Sequence, residues 1–194
     1  MESDSSRRNK KVKNKECKKK NTKEALWIAK ITIYTIIISG TASLLSESTL
    51  PRVNASLAFT ILVLIIFLGV IFDVIGTAVT AANEIPFHAM AAKKIKEAKI
   101  AVKMIRNASK VSNFCNDVVG DVCGIISGAV GVVIVAKVLL LYPNSSEILI
   151  ASGISAMIAG ATVGGKALGK KFAITNSNNI LYAVAKLIYF IKRG

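Results

Sequence analysis

The sequence has few of the residue types that build catalytic and metal centres in enzymes. It contains 1 His, 3 Cys, 3 Pro and 1 Trp among 194 residues. The cysteines (Cys17, Cys115 and Cys123) are odd in number and form no CxxC pair, which argues against a disulfide framework and a zinc site. No nucleophile elbow, HExxH sequence, phosphate-binding loop or histidine pair is present. An enzyme is therefore disfavoured.

Acidic residues are also scarce, at 11 Asp and Glu against 26 Lys and Arg, which gives a formal net charge of +15. Residues 1–24 hold many of these basic side chains and almost no apolar ones, so we predict a disordered basic tail. The tail has no interleaved aromatic residues, so we expect attraction to anionic lipid and no nucleic-acid binding. No small-residue cleavage site follows the first apolar run, which argues against a signal peptide.

What the sequence has in abundance is apolar residues, at 53% with a mean hydropathy of +0.53. They form continuous runs and do not alternate with polar residues, which predicts an all-α integral membrane protein. We predict four transmembrane helices, at about residues 26–45, 57–82, 118–141 and 148–165, within a transmembrane domain of residues 25–175. Residues 176–194 are predicted to form a C-terminal interfacial helix beside the membrane.

The positions of the basic residues predict the orientation of these spans. With four spans, the basic tail, the segment between the second and third spans and the C-terminus all lie on one side of the membrane. The short loops on the other side hold only Arg52, with Lys137 near a helix end. The positive-inside rule then predicts a multi-pass protein of the plasma membrane with both termini in the cytoplasm.

The segment after the second span is predicted to be a cytoplasmic amphipathic belt helix, residues 86–110, with Pro86 at its first position. Its basic residues recur at three- and four-residue steps, so they share one face and are expected to meet lipid headgroups: Lys96, Lys99, Lys103, Arg106 and Lys110. The opposite face is apolar and is expected to sink into the membrane interface: Phe87, Ala91, Ala98, Ala101, Val102 and Ile105.

The spans also carry polar residues at one depth, towards the cytoplasmic side. A carboxylate inside a span is unfavourable by about 2.5–3.5 kcal/mol, and no lysine or arginine is expected deep in the second or fourth span as its partner. Hard cations such as Mg²⁺ bind carboxylate, amide and hydroxyl oxygens. We therefore predict a metal site at Asp73, Thr77, Asn116, Asp121 and Thr162. Alternatively, Asp73 and Asp121 are hydrated near helix ends. Asp117 and Asp121 also lie where a helix N-terminus favours negative charge.

Small residues recur along the third and fourth spans. Close helix approach in lipid uses such residues, and the packing positions are predicted to be Gly120, Gly124, Gly128, Gly160 and Gly164.

The segment "FDVIGTAVTAANEIPFHAMAAKKIKEAKIAVKMIRNASKV" resembles the first span and the following belt helix of the CNNM/CorC family of Mg²⁺ transport proteins. "VVGDVCGIISGAVG" stands where that family has a Gly-Asn pair, and "GATVGGKALGKKFAITNSNNILYAVAKLIYFIKR" resembles its third span and juxtamembrane helix. The resemblance covers about residues 56–194 and implies a homodimer and a Mg²⁺-like substrate. Three positions depart from the family: Gly76 replaces an acidic residue, Asp121 replaces the Asn, and "TVGG" lacks a carboxylate.

The sequence contains no cystathionine-synthase-type regulatory domain, so the chain looks like a short form of that family without nucleotide-dependent regulation. The favoured hypothesis is a membrane transport protein for divalent metal cations, with Mg²⁺ as the expected ion. The alternative is a non-transporting membrane adaptor or lipid-binding protein that presents a basic cytoplasmic surface.

Overall fold

The computed structural model describes residues 26–46, 48 and 53–193, and the regular elements within them are all helices. Four helices are long and apolar enough to cross a membrane: Leu26–Ser46, Ala55–Ala81, Ala108–Leu141 and Glu147–Thr175. They confirm the four predicted apolar helices, with the last two longer than expected. The predicted basic tail, residues 1–24, lies outside the described residues.

Helix α1 (Leu26–Ser46) lies mostly in the first of two compact units, which ends at Ile38. Its apolar side chains are largely exposed, among them Ile33, Ile36 and Leu44. Exposed apolar side chains along a whole 21-residue helix suit a surface that faces lipid.

The remaining spans form a bundle in which α2 (Ala55–Ala81) packs against α6 (Gly120–Leu141) and α7 (Glu147–Thr175). One apolar core of this bundle is centred on Ala58, Leu62 and Val130. The small side chain of Ala58 lets the helices approach, and the branched residues around it fill the interface. Helix α2 therefore contacts two other spans along its length, and polar residues on α2 can be buried between helices.

The third span is one continuous helical segment that starts ten residues earlier than predicted, at Ala108 and not at residue 118. It consists of α5 (Ala108–Asn113), a π-helical turn (Phe114–Val119) and α6. A π-helical turn inserts one extra residue per turn, is rare, and occurs frequently at functional sites. Here it faces α2.

The predicted single belt helix at residues 86–110 is wrong, because the segment forms two separate helices before α5. These are α3 (Glu84–Ala92), capped by the Asn83 side chain, and α4 (Lys96–Arg106). Between them the chain turns at Lys94, which has a φ of 64°, in the left-handed region that ends a helix. Nothing in the hydrophobic periodicity of this segment signalled that turn.

The apolar face of α4 is buried in protein, which corrects the expectation that it sinks into lipid. Ala98, Ala101 and Val102 are buried where α4 packs against α8 (Ser177–Arg193). A second core forms there from the end of α2, α3, α4 and α8: Val79, Phe87, Ala101, Val102, Leu181 and Ala185. The lysines of α4 remain exposed.

Hydrogen bonds hold the end of α2 against the start of α8. The Asn83 backbone N–H donates to Asn178 Oδ1 at 2.9 Å, and Ser177 Oγ donates to the Ala81 carbonyl at 3.4 Å. These bonds satisfy backbone groups that the end of a helix leaves without partners. These two bonds join the bundle of α2, α6 and α7 to the smaller layer formed by α3, α4 and α8.

Candidate functional site

Asp73 is buried in the interior of α2, with 4% of its surface exposed. It lies on the same helical stripe as Gly69 and Gly76, and both glycines face the third span. A Cβ built on Gly69 would lie 3.2 Å from Cys123 Cβ, and one built on Gly76 would lie 3.2 Å from Cys115 Cβ. Asp73 therefore lies at the interface of α2 with the π-helical turn and the start of α6.

Asn116 projects from the π-helical turn towards the same stripe of α2. A Cβ built on Gly76 would fall on Asn116 Oδ1 and would lie 2.8 Å from Asn116 Cγ, so a larger residue at position 76 requires the amide to move. The Asn116 Nδ2 donates to Ser112 Oγ at 3.2 Å, which orients Oδ1 towards α2. The sequence did not predict that Gly76 makes room for the Asn116 amide, although Gly76 was noted as a departure from the family pattern.

Two buried oxygens at this interface have no hydrogen-bond partner in the part of the chain that the structure describes: Asp73 Oδ2 and Asn116 Oδ1. Both are acceptors, and a buried acceptor without a donor is unfavourable by roughly 1–3 kcal/mol, more when it is charged. Their residues lie within one helical turn of Gly76, Asp73 on α2 and Asn116 opposite it. The interface therefore presents two acceptor oxygens for a donor or a positive ion.

The other predicted metal ligands occupy different surroundings. Thr77 lies one turn after Asp73 on the same face of α2 and is partly buried. Thr162, on α7, donates its hydroxyl to the Ile158 carbonyl at 2.8 Å. Asp121 is exposed and lies in the first turn of α6, directly after the π-helical turn. The structure thus brings Asp73, Thr77 and Asn116 to one interface, while Asp121 faces outward from the single chain.

A lysine of α7 lies near this interface. Helix α7 continues through Lys166 to Thr175, ten residues beyond the predicted end of the span. The Lys166 Nζ lies 3.5 Å from the position that a Cβ on Gly120 would take. The sequence did not predict a role for Lys166, because hydropathy placed the end of the fourth span one residue before it.

The glycines predicted for helix packing divide into two groups. A Cβ at Gly120 would meet Lys166, whereas one at the other four positions would meet no atom of the described residues within 4 Å: Gly124, Gly128, Gly160 and Gly164. Gly124 and Gly128 line an open groove of about 530 Å³ between α6 and α7, together with Ser127, Ser155 and Thr162. Close approach within the chain instead uses Gly69 and Gly76, and also Gly165 and Gly169 against α2.

The predicted headgroup residues are exposed, four of them on α4 (Lys96, Lys99, Lys103 and Arg106) and Lys110 on α5. Arg106 Nε donates to Glu84 Oε1 at 2.9 Å, and His88 Nε2 lies 2.8 Å from the same oxygen. The Arg106 hydrogen bond, and secondly that of His88, hold the pKa of Glu84 below its usual range. This network ties α3 to α4 on the surface.

Among the residues that the structure describes, no group of three or more His, Cys, Asp and Glu could hold a metal ion. A cation at Asp73 would therefore rely on one carboxylate, amide and hydroxyl oxygens, and water. Mg²⁺ suits such a site, because it keeps several waters and is commonly bound through one or two carboxylates. Comparisons with protein-family models, with curated proteins and with solved structures found no match to this chain.

Proposed function

We propose that this multi-pass membrane protein transports divalent metal cations, with Mg²⁺ as the expected ion. The observation that carries the proposal is the pair of buried acceptor oxygens, Asp73 Oδ2 and Asn116 Oδ1, which have no donor between α2 and the π-helical turn. A hard cation satisfies both oxygens and offsets the unfavourable burial of the carboxylate. A π-helical turn at the same place is the kind of local irregularity that functional sites use.

In this proposal each ligand has a distinct role. Asp73 supplies the negative charge that attracts the ion, and Asn116 supplies a neutral oxygen from the facing span. Thr77 adds a hydroxyl one turn further along α2. Thr162 and Asp121 line the path by which the hydrated ion reaches the site. Binding must be strong enough for entry and weak enough for release, which one carboxylate with neutral oxygens and water allows.

The proposed homodimer uses glycines at which an added Cβ would meet no described atom within 4 Å. Gly124 and Gly128 on α6 and Gly160 and Gly164 on α7 leave open space where a Cβ would point. Small residues exposed within spans allow close approach of another helix in lipid. A second copy on this face would also cover Asp121, whose carboxylate is otherwise unfavourable within a lipid-facing span.

The expected location is the plasma membrane, with both termini and the α3–α4–α8 layer in the cytoplasm. The support is the distribution of charge, since the lysines of α4 and the basic residues near the C-terminus lie on the same side of four spans. The apolar face that α8 leaves exposed, with Leu187, Phe190 and Ile191, suits contact with the membrane interface.

Mg²⁺ uptake into proteoliposomes, followed with an encapsulated fluorescent indicator, tests this function. The Asp73→Asn variant keeps the shape of the side chain and removes its charge, so we expect uptake to fall at least tenfold. Glu147→Gln is the matched control, because Glu147 is an exposed carboxylate at the other end of α7, and its uptake should equal that of the wild type. Unchanged uptake in Asp73→Asn contradicts the proposal.

A lipid-binding adaptor is the second candidate function, and the exposed basic face of α4 favours it. Lys96, Lys99, Lys103 and Arg106 are all exposed, while the opposite face is fixed by packing on α8. Each basic residue near an anionic bilayer contributes about 1 kcal/mol of attraction. If the adaptor function is correct, reversing these charges abolishes the cellular phenotype while Asp73→Asn leaves it intact, measured by complementation of a deletion strain.

A further inference from the structure

Two glycines of α7 pack against α2 on either side of Asp73. A Cβ built on Gly165 would lie 3.0 Å from Val70 Cγ2, and one built on Gly169 would lie 2.8 Å from Val74 Cγ2. Val70 precedes Asp73 by three residues and Val74 follows it directly, so the two contacts bracket the carboxylate along α2. Lys166 follows Gly165 in α7 and is therefore at the level of Asp73.

The Lys166 side chain crosses from α7 to the start of α6. Its Nζ lies 3.5 Å from the Cβ position of Gly120, and the side chain is partly buried. Gly120 lies between Asn116 and Cys123, which both contact the Asp73 stripe of α2. The ammonium and the buried carboxylate are thus held at the same junction of three helices.

We propose that Lys166 is the exchangeable counter-charge of Asp73. The two side chains form no ion pair within 4 Å, and Asp73 Oδ2 has no hydrogen-bond partner among the described residues. Attraction between opposite charges is strong where water is excluded, and the long flexible side chain of lysine lets its ammonium reach more than one position. The ammonium has two positions in this proposal, the described one near Gly120 and one at Asp73, and a bound cation excludes it from the second.

This inference rests on the proposed cation transport and adds a basis for selectivity. A bound ion must displace a unit positive charge from the carboxylate. A divalent cation does so because it carries twice the charge, whereas a monovalent ion has no electrostatic advantage over the ammonium. Lys166 is therefore a specificity-determining residue, which favours divalent over monovalent cations at a site that has a single carboxylate.

The pairing of the two side chains is tested without metal, by thermal unfolding of the purified full-length protein in detergent with EDTA. Asp73→Asn and Lys166→Met each leave one charge without its partner, so we expect each to lower the melting temperature. The double variant should lose clearly less than the sum of the two losses, because it removes both charges. Strictly additive losses overturn the pairing.

The exchange is tested by titrating the same preparations with MgCl₂ and with NaCl. In Lys166→Met, the Mg²⁺ concentration that gives half the maximal thermal shift should be about tenfold lower than in the wild type, because a competing unit charge is gone. Na⁺ should raise the melting temperature of this variant and not that of the wild type. Lys170→Met, an exposed lysine one turn further along α7, is the control and should match the wild type.

The outcomes separate this inference from the proposed function. Equal half-saturating Mg²⁺ concentrations in Lys166→Met and the wild type overturn the exchange while leaving transport intact. No Mg²⁺ response in either protein, together with no uptake, contradicts transport and with it the exchange. In that case non-additive melting temperatures still establish Lys166 as the structural counter-charge of Asp73.

Discussion

At the residue scale, the fit between Gly76 and Asn116 decides how the candidate site is built. The amide occupies the space that any side chain at position 76 would need, and the same contact keeps the π-helical turn against α2. The sequence showed Asp73 as an acidic residue in an apolar run and marked Asn116 as a ligand. It could not show that Gly76 makes room for Asn116, because that contact joins residues 40 positions apart in the chain.

Gly76→Ala is expected to lower stability by about 1–3 kcal/mol, because the added methyl overlaps the Asn116 amide and forces it out of the interface. Gly153→Ala is the matched control, since a Cβ there meets no atom within 4 Å and alanine is the better helix former. Thermal unfolding in detergent should show a lower melting temperature for the first variant only. Equal melting temperatures would show that the Asn116 amide does not occupy this space.

At the element scale, the segment between the second and third spans shows what periodicity can and cannot predict. The three- and four-residue spacing of Lys96, Lys99 and Lys103 correctly predicts an amphipathic helix with an exposed basic face. The partner of the apolar face was not predictable, since periodicity marks a face to be buried and does not say whether lipid or another helix buries it. The structure supplies α8, through Leu181 and Ala185.

Leu181→Ala tests this packing of α8. Leu181 is fully buried in the core shared with α4, so the substitution should destabilise the protein by about 2–5 kcal/mol. Leu187→Ala should have little effect in detergent, because Leu187 is 60% exposed. Hydrogen exchange measured by mass spectrometry should rise in α4 and α8 for the first variant alone. Equal exchange in both variants would contradict the buried position of α8.

The stability that the Glu84 carboxylate contributes by linking α3 to α4 should depend on pH. Because hydrogen bonds from Arg106 and His88 lower the pKa of Glu84 in the folded protein, the carboxylate contributes stability above the ordinary glutamate pKa. That contribution is lost as the pH falls below about 4 and the carboxylate is protonated. The melting temperature of Glu84→Gln should therefore lie slightly below that of the wild type at pH 6 and approach it at pH 3.5. A constant difference would contradict the link.

At the scale of the whole molecule, the sequence predicted the four helices that are long and apolar enough to cross a membrane, because hydropathy detects continuous apolar runs directly. The ends of the last two spans were not predictable in this way. Helices α5 and α7 extend beyond the apolar runs, so Lys166, Lys170 and Lys171 continue a span that hydropathy ended at residue 165. Tertiary contacts with α2 keep that polar end helical, which composition alone does not indicate.

The proposed orientation makes the loop between α6 and α7 extracellular and the end of α8 cytoplasmic. In a background without native cysteines, a membrane-impermeant maleimide should label Ser145→Cys in intact cells, because Ser145 lies exposed in that loop. It should label Lys192→Cys only after the membrane is permeabilised. Labelling of both variants in intact cells would contradict four spans with cytoplasmic termini.

A divalent cation is proposed to bind between Asp73 and Asn116. Anomalous diffraction from crystals in which Mn²⁺ replaces Mg²⁺ locates this ion most directly. The expected result is one anomalous peak within about 2–2.5 Å of Asp73 Oδ2 and Asn116 Oδ1, which is lost in Asp73→Asn crystals. Peaks that lie only elsewhere on the protein, or a peak that persists in Asp73→Asn, would contradict the account.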